Sequence, residues 1–360
     1  QNPQADMKTV AALLGMDESK INVHVTMLGG GFGRKSKPDF SAEAAYISMK
    51  TGKPIRVQWT REDDIQHSFY HAVSAQHIEA SLNEKGNIEA YLHRTAFSPI
   101  MSTFQEGASA PGGFELDLGF TDNPILAPNM KLERGEAPAK ARIGWMRSVT
   151  NIFHAFAVQS FINEAAHKAG KDSKDYLLET IGPARTIDFA SQNANYNNYG
   201  GDKAVYPLET SRLRHVIEKA ASMANWGRTL PKGRGLGIAA HRSFLTYVAT
   251  VVEVEVSDAG DLNVIKSWVA IDAGTVVNTD TVKNQTQGGS IYGITTAISD
   301  GITFDKGRVQ QSNFHDYRVP RMSDSPLEVE VEIIQSDAPP AGVGEPATPV
   351  YAPALCNAIF

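Results

Sequence analysis

The chain has 360 residues, 42% hydrophobic and 21% charged, with a formal net charge of −6. Its length allows two or three domains, and its acidic balance argues against a nucleic-acid partner, which would need a basic face. No apolar run approaches the ~20 residues needed to cross a bilayer, and the single Cys356 excludes an intrachain disulfide or a cysteine-ligated cluster.

Met7 to Leu14 reads as a short helix, followed by a β-branched strand over Ile21 to Leu28 that runs into Gly29-Gly30-Gly31-Phe32-Gly33. Asp39 to Met49 reads as a helix, with Gly52 near its C-terminal end and Pro54 ahead of a strand, Ile55 to Trp59. Strands follow over Ala75–Leu82 and Ile88–Thr95. The stretch Ser98–Pro138, rich in Gly, Pro and Ser, is long for a loop and is expected to be functional or to wrap a neighbouring surface. Phe153 to Gly170 predicts an amphipathic helix with Phe153, Phe156, Ala157, Phe161 and Ala165 on its apolar face.

Gln192 to Asp202, polar and rich in Asn and Tyr, reads as a linker. Thr210 then reads as the cap of a helix with Leu213, Val216, Ile217 and Ala220 on one face. Strands are predicted at Val248–Val256, Asp261–Ile271 and Leu327–Ile334, with helices from Asn284 to about Ile298 and from near Thr348. Helices and strands without regular βαβ spacing argue for an α+β fold. Gln1 at one end and the apolar helical run Ala354–Phe360 at the other read as cuts, so a longer polypeptide is expected. Cys356, in that run, reads as a small core residue.

Several constellations could carry chemistry. Consecutive glycines give up packing and cost backbone entropy. The Gly29–Gly33 stretch therefore marks either a turn between strand and helix or a backbone that approaches a ligand with its N–H groups. It has neither P-loop nor dinucleotide spacing. In Gly342-Val343-Gly344-Glu345-Pro346-Ala347-Thr348-Pro349, Pro346 holds Glu345 extended, and Thr348 and Pro349 read as N-cap and first helical residue. Glu345 is then either a surface carboxylate or one aimed into a cleft. Arg147 precedes a helix and could reach a phosphate or carboxylate bidentately, or form an ordinary ion pair. Asn284-Gln285-Thr286-Gln287-Gly288-Gly289 opens a helix whose amides and free N–H groups could bind a ligand or merely cap it.

Other features carry less. Gly233-x-Gly235-x-Gly237 is a weak signal before an apolar strand, and Arg61-Glu62-Asp63-Asp64 reads as a solvated turn or helix start. His24, His241 and His315 read as structural. The common zinc and serine-hydrolase signatures are absent.

The ordered set Gln1-Asn2-Pro3-Gln4, Gly29-Gly30-Gly31-Phe32-Gly33-Arg34 and Gly342-Val343-Gly344-Glu345-Pro346 resembles the large subunits of the xanthine oxidase / aldehyde oxidase family of molybdenum hydroxylases. Thr60–Asp64, Arg147-Ser148-Val149, Ser160–Glu164 and Gln311–Arg318 are similar to the isoquinoline 1-oxidoreductase beta-subunit branch.

The resemblance implies two molybdopterin-binding lobes, the C-terminal part of the first at 1–195 and the second at 196–360. It implies a molybdopterin cofactor with molybdenum, in the cytosine dinucleotide form, and iron–sulfur clusters on a partner [2Fe-2S] subunit or domain. Gln1, Gly30, Gly31, Phe32, Gly33, Arg147 and Gln285 would contact the cofactor, with no side chain ligating the metal. Glu345 would be the base that activates water for hydroxylation of an N-heteroaromatic ring. Aldehyde oxidation, or a non-catalytic assembly module that keeps the fold, are the alternatives. The family's Met-Gly-Gln-Gly-type segment is absent, Gln159 stands where Glu is usual, and Asn163 replaces an Asp. This piece alone is therefore expected to be inactive. Cell location stays open between periplasm and cytoplasm.

Overall fold

Asn2 decides where the first helix begins. Its side chain accepts the Ala5 N–H, and Pro3 behind it needs no hydrogen-bond partner for its nitrogen. The computed structural model describes residues 1–360. In chain order its elements are α1 (Pro3–Leu14), α2 (Asp39–Thr51), α3 (Arg61–His67), β1 (Ser74–Leu82), β2 (Ile88–Phe97), α4 (Gly113–Leu116), β3 (Asn129–Arg134), α5 (Asn151–Ala169), α6 (Ser173–Ile181) and α7 (Thr210–Met223). There follow β4 (Arg234–Ser243), β5 (Thr246–Val256), β6 (Leu262–Asp272), α8 (Thr279–Ile298), β7 (Phe304–Asp305), β8 (Arg308–Val309), β9 (Glu328–Ile333) and α9 (Tyr351–Ile359).

The architecture is α+β, built on two mixed sheets. One has the order β1-β2-β3, with β2 antiparallel to β1 and parallel to β3. The other has the order β4-β5-β6-β9, with only the β6–β9 pair parallel. A single core cluster of 25 buried residues draws on both sheets and on α5, α6 and α7, from Ile88 through Leu213 to Ile334. A second cluster packs α8 and α9 against the other face of the larger sheet. Glycine makes that packing close: a Cβ on Gly237 would lie 2.1 Å from Ala354 O and 2.3 Å from Ala358 N.

Several expectations need correction. Residues 21–28 and 55–59 form no strand and pair with none; Val25 and Met27 are exposed there, because β-branching favours a strand without supplying a partner. Ser98–Pro138 is not structureless, since it contains α4 and the edge strand β3, whose sequence has little β-propensity.

The buried side of α5 is also turned from the predicted face. It runs through Ala155, Val158, Ile162 and Ala166, together with the polar His154, Gln159 and Asn163, while Phe156 is exposed. Buried polar groups with partners disguise the stripe: Gln159 Oε1 accepts the Ala240 N–H at 3.0 Å.

Gln192–Asp202 is packed rather than a free linker. Tyr196 and Asn198 are buried, and Arg242 donates to both, to the Tyr196 hydroxyl at 2.8 Å and to Asn198 Oδ1 at 2.9 Å. Thr210 is the first residue of α7, not its cap, and its hydroxyl is taken by Pro183 O at 2.9 Å. The Arg61–Asp64 run is a helix start, where Thr60 and Asp63 form a reciprocal capping box. His241 is buried in β4, whereas His24 and His315 are exposed.

Candidate active site

The glycine stretch is shaped by what lies against it. Gly33 has φ 86°, and a Cβ there would fall 2.5 Å from Trp145 O, so both conformation and space demand glycine. A Cβ on Gly31 would come within 2.2 Å of Gln1 Oε1, and one on Gly30 would meet the Phe32 ring at 2.6 Å. Gln1 Oε1 in turn accepts the Gly33 N–H at 3.2 Å. Phe32, itself at φ 49°, stacks on Tyr292 of α8 with ring centroids 5.7 Å apart.

Arg147 joins this loop to the distant parts of the chain. Its guanidinium lies 5.9 Å from the Phe32 ring centroid. Its Nε donates to Gly344 O at 2.7 Å, and one terminal nitrogen donates to Gln285 O at 3.0 Å and Gln285 Oε1 at 3.1 Å. Neighbouring Ser148 clasps Glu345 at both ends: its N–H donates to Oε1 at 2.8 Å and its hydroxyl to the Glu345 carbonyl at 2.7 Å. Gln1, Gly30, Gly31, Phe32, Gly33, Arg147, Gln285 and Glu345 thus form one connected set, although 344 residues of chain separate its extremes.

Glu345 is half-buried, and burial pushes its carboxyl pKa up against the opposing pull of the Ser148 N–H and of Arg147. Oε1 is occupied by Ser148, while Oε2 receives no hydrogen bond from the protein. A desolvated carboxylate with one oxygen fixed and the other free has the form of a general base.

Three local expectations differ from the geometry. Gln285 lies well inside α8, which Asn278 caps, so no free helix N–H groups surround it. Arg147 meets carbonyls and an amide rather than a carboxylate or phosphate. Thr348 does not cap α9, whose first residue is Tyr351; its hydroxyl donates to Gly289 O at 3.1 Å and ties the Glu345 turn to α8. Sequence reasoning gave Trp145 no role and missed Tyr292; both matter through their contacts with the glycine loop.

The donor set can be tested against a molybdopterin group. The loop offers bare peptide surface where any Cβ would collide, and around it stand two neutral amides and a guanidinium, all able to donate to oxo or anionic oxygens. No group of three or more His, Cys, Asp or Glu could hold a metal ion. A metal here would have to arrive on an organic ligand of its own, and the residues fit such a group.

Two models of a molybdopterin cofactor-binding domain match the chain, one over residues 1–176 and one over residues 161–326. The chain is 30% identical to the membrane-bound aldehyde dehydrogenase (pyrroloquinoline-quinone) of Gluconacetobacter polyoxogenes, over 98% of this chain and 46% of that protein. It is 29% identical to isoquinoline 1-oxidoreductase subunit beta of Brevundimonas diminuta, over 99% of this chain and 43% of that protein. The chain therefore spans under half the length of these two relatives. In fold it is similar to quinoline 2-oxidoreductase from Pseudomonas putida 86, with a TM-score of 0.78 and 13% identity over 100% of this chain and 68% of that one.

Proposed function

The chain belongs to the xanthine oxidase family of molybdopterin cofactor-binding proteins, and from that premise we propose that it is part of a molybdenum-dependent oxidoreductase that hydroxylates an electron-poor carbon beside a ring nitrogen. The observation that carries the reading is the double clasp of Ser148 on Glu345 next to Arg147, which in turn touches Phe32 of the glycine loop. When bound, the cofactor's metal supplies Lewis acidity and a sink for two electrons.

The roles of the chain's own residues follow from their geometry. Glu345 Oε2 accepts the proton lost as the oxygen of water adds to the substrate carbon, while Ser148 keeps Oε1 fixed. Arg147 holds the Gly344 carbonyl and the Gln285 amide, so the Glu345 turn and α8 keep one spacing. The Gln1 amide NH2 and the backbone N–H groups of Gly30, Gly31 and Phe32 are offered to the cofactor's oxygens, while the Gly33 N–H orients Gln1. Electrons leave through iron–sulfur clusters on a partner subunit or domain, since this chain's single cysteine cannot hold one. In this reading the cofactor carries the cytosine dinucleotide.

A second reading, oxidation of aldehydes at the same site, is favoured by the 30% identity to a protein named an aldehyde dehydrogenase. The deciding experiment uses the full-length enzyme with its partner, offered isoquinoline and benzaldehyde in turn. Glu345→Gln should lower kcat/KM by about a thousandfold on the true substrate, the upper range of general-base effects. Activity retained in that variant removes Glu345 from the chemistry, and preparations without molybdenum would leave only a non-catalytic module.

A further inference from the structure

Ser148 and Val149 are consecutive non-glycine residues in the left-handed region, with φ 78° and 51°. For a β-branched valine this is a conformation that its surroundings must impose. Three contacts impose it. Val149 N–H donates to Met146 O at 2.8 Å, Asn151 Nδ2 donates to Ser148 O at 3.0 Å, and His71 Nε2 lies 2.9 Å from Val149 O. The conformation aims the Ser148 N–H away from the start of α5 and onto the Glu345 carboxylate.

Asn151 is the part of this arrangement that reaches furthest. It is fully buried, and its Oδ1 accepts from the Tyr199 hydroxyl at 3.1 Å and from His241 Nε2 at 2.8 Å. With Oδ1 facing two donors, the amide NH2 must face Ser148 O. Only an amide satisfies all three partners: a carboxylate has no hydrogen to give Ser148, and alanine leaves the Tyr199 hydroxyl and His241 Nε2 without this acceptor, while Ser148 O keeps only the backbone N–H of residue 151 at 3.1 Å.

We propose that Asn151 is a positioning residue for Glu345, fastening the strained Ser148–Val149 turn to β4 through His241 and to the segment before α7 through Tyr199. The inference rests on the reading of Glu345 as the base and adds how that base is held.

The charged group facing Glu345 is Arg147, which Tyr292 faces from α8. Around the turn, burial lowers the pKa of His71 and lowers that of His241 to about 3, while it raises that of Tyr199. All three therefore stay neutral, and an acid limb in the pH profile reports the carboxyl. The Ser148 N–H holds that carboxyl's pKa down, so loosening the turn must move the limb to higher pH.

The test uses the full-length, molybdenum-loaded enzyme with Asn151→Asp and Tyr199→Phe. For Asn151→Asp, kcat should fall about ten- to a hundredfold, with KM within about threefold of wild type. The acid limb of kcat/KM should rise by about one pH unit, and amide hydrogens of the segment 146–152 should exchange about tenfold faster. Tyr199→Phe, which removes one donor and no charge, should move all three readouts the same way by less, and it carries the test alone if the aspartate variant does not fold. An unmoved acid limb and unchanged exchange in Tyr199→Phe overturn the proposal. If instead Glu345→Gln keeps full activity, the reading of the base has failed, and the exchange data still report whether Asn151 holds the turn.

Discussion

The role proposed for Glu345 would set activity against stability. Burial raises its folded pKa above the ordinary 4.5, so folding favours the protonated carboxyl. Below the unfolded pKa the group costs nothing; as pH rises through the folded value, the ionised form is disfavoured by burial and stability falls. Glu345→Gln keeps an oxygen for the Ser148 N–H and removes that charge. This variant should therefore melt at a higher temperature than wild type at pH 7, and the gap should close as pH is lowered towards 4. Equal melting temperatures across that range would mean the carboxylate is not desolvated in solution. Pro346 and the flanking glycines marked this residue but left it between a surface carboxylate and one aimed into a cleft, and only the family resemblance chose between them. Its partner was not legible, since nothing in the sequence says that Ser148 comes within hydrogen-bond reach of a residue so far along the chain.

At the scale of elements, a repeat that carried little meaning in the sequence has a structural use. Gly235 and Gly237 let α9 lie directly on β4, and a Cβ at either would sit 2.1 Å from a helix carbonyl. Gly237→Ala meets backbone rather than a flexible side-chain tip, so it should cost at least about 1–3 kcal/mol as overpacking, read as a lower denaturant midpoint. Because α9 follows the Glu345 turn, molybdenum content of the purified enzyme should fall with it. A midpoint equal to wild type would mean that helix and strand separate without cost. Strands β5 and β6 of the larger sheet were legible because their β-branched runs are largely buried. Segments 21–28 and 55–59 carry the same local signal yet pair with nothing, because a β-branched run does not specify a neighbour.

For the molecule as a whole, the two sheets lie in succession along the chain, yet their cores are continuous. Leu213 of α7 belongs to the same buried cluster as Ile88 and Tyr91 of β2 and Trp268 of β6. Composition and spacing could place β1, β2, β5, β6 and β9 but could not reveal that α5, α6 and α7 close one interior between two sheets, because that depends on which helix faces turn inward. A polar α5 stripe held by Gln159 and His154 hid one of those faces. Continuity of the core predicts a shared fate. Leu213→Ala should cost about 2–5 kcal/mol, as expected for a fully buried leucine whose site collapses only in part. Amide exchange should then accelerate in β2 and in β5–β6 by the same factor, since opening either sheet exposes the interior of both. Acceleration confined to β5–β6 would instead mean that each sheet keeps its own stability, so that Glu345 and the glycine loop are held together by local contacts such as those of Arg147, Ser148 and the Phe32–Tyr292 stack.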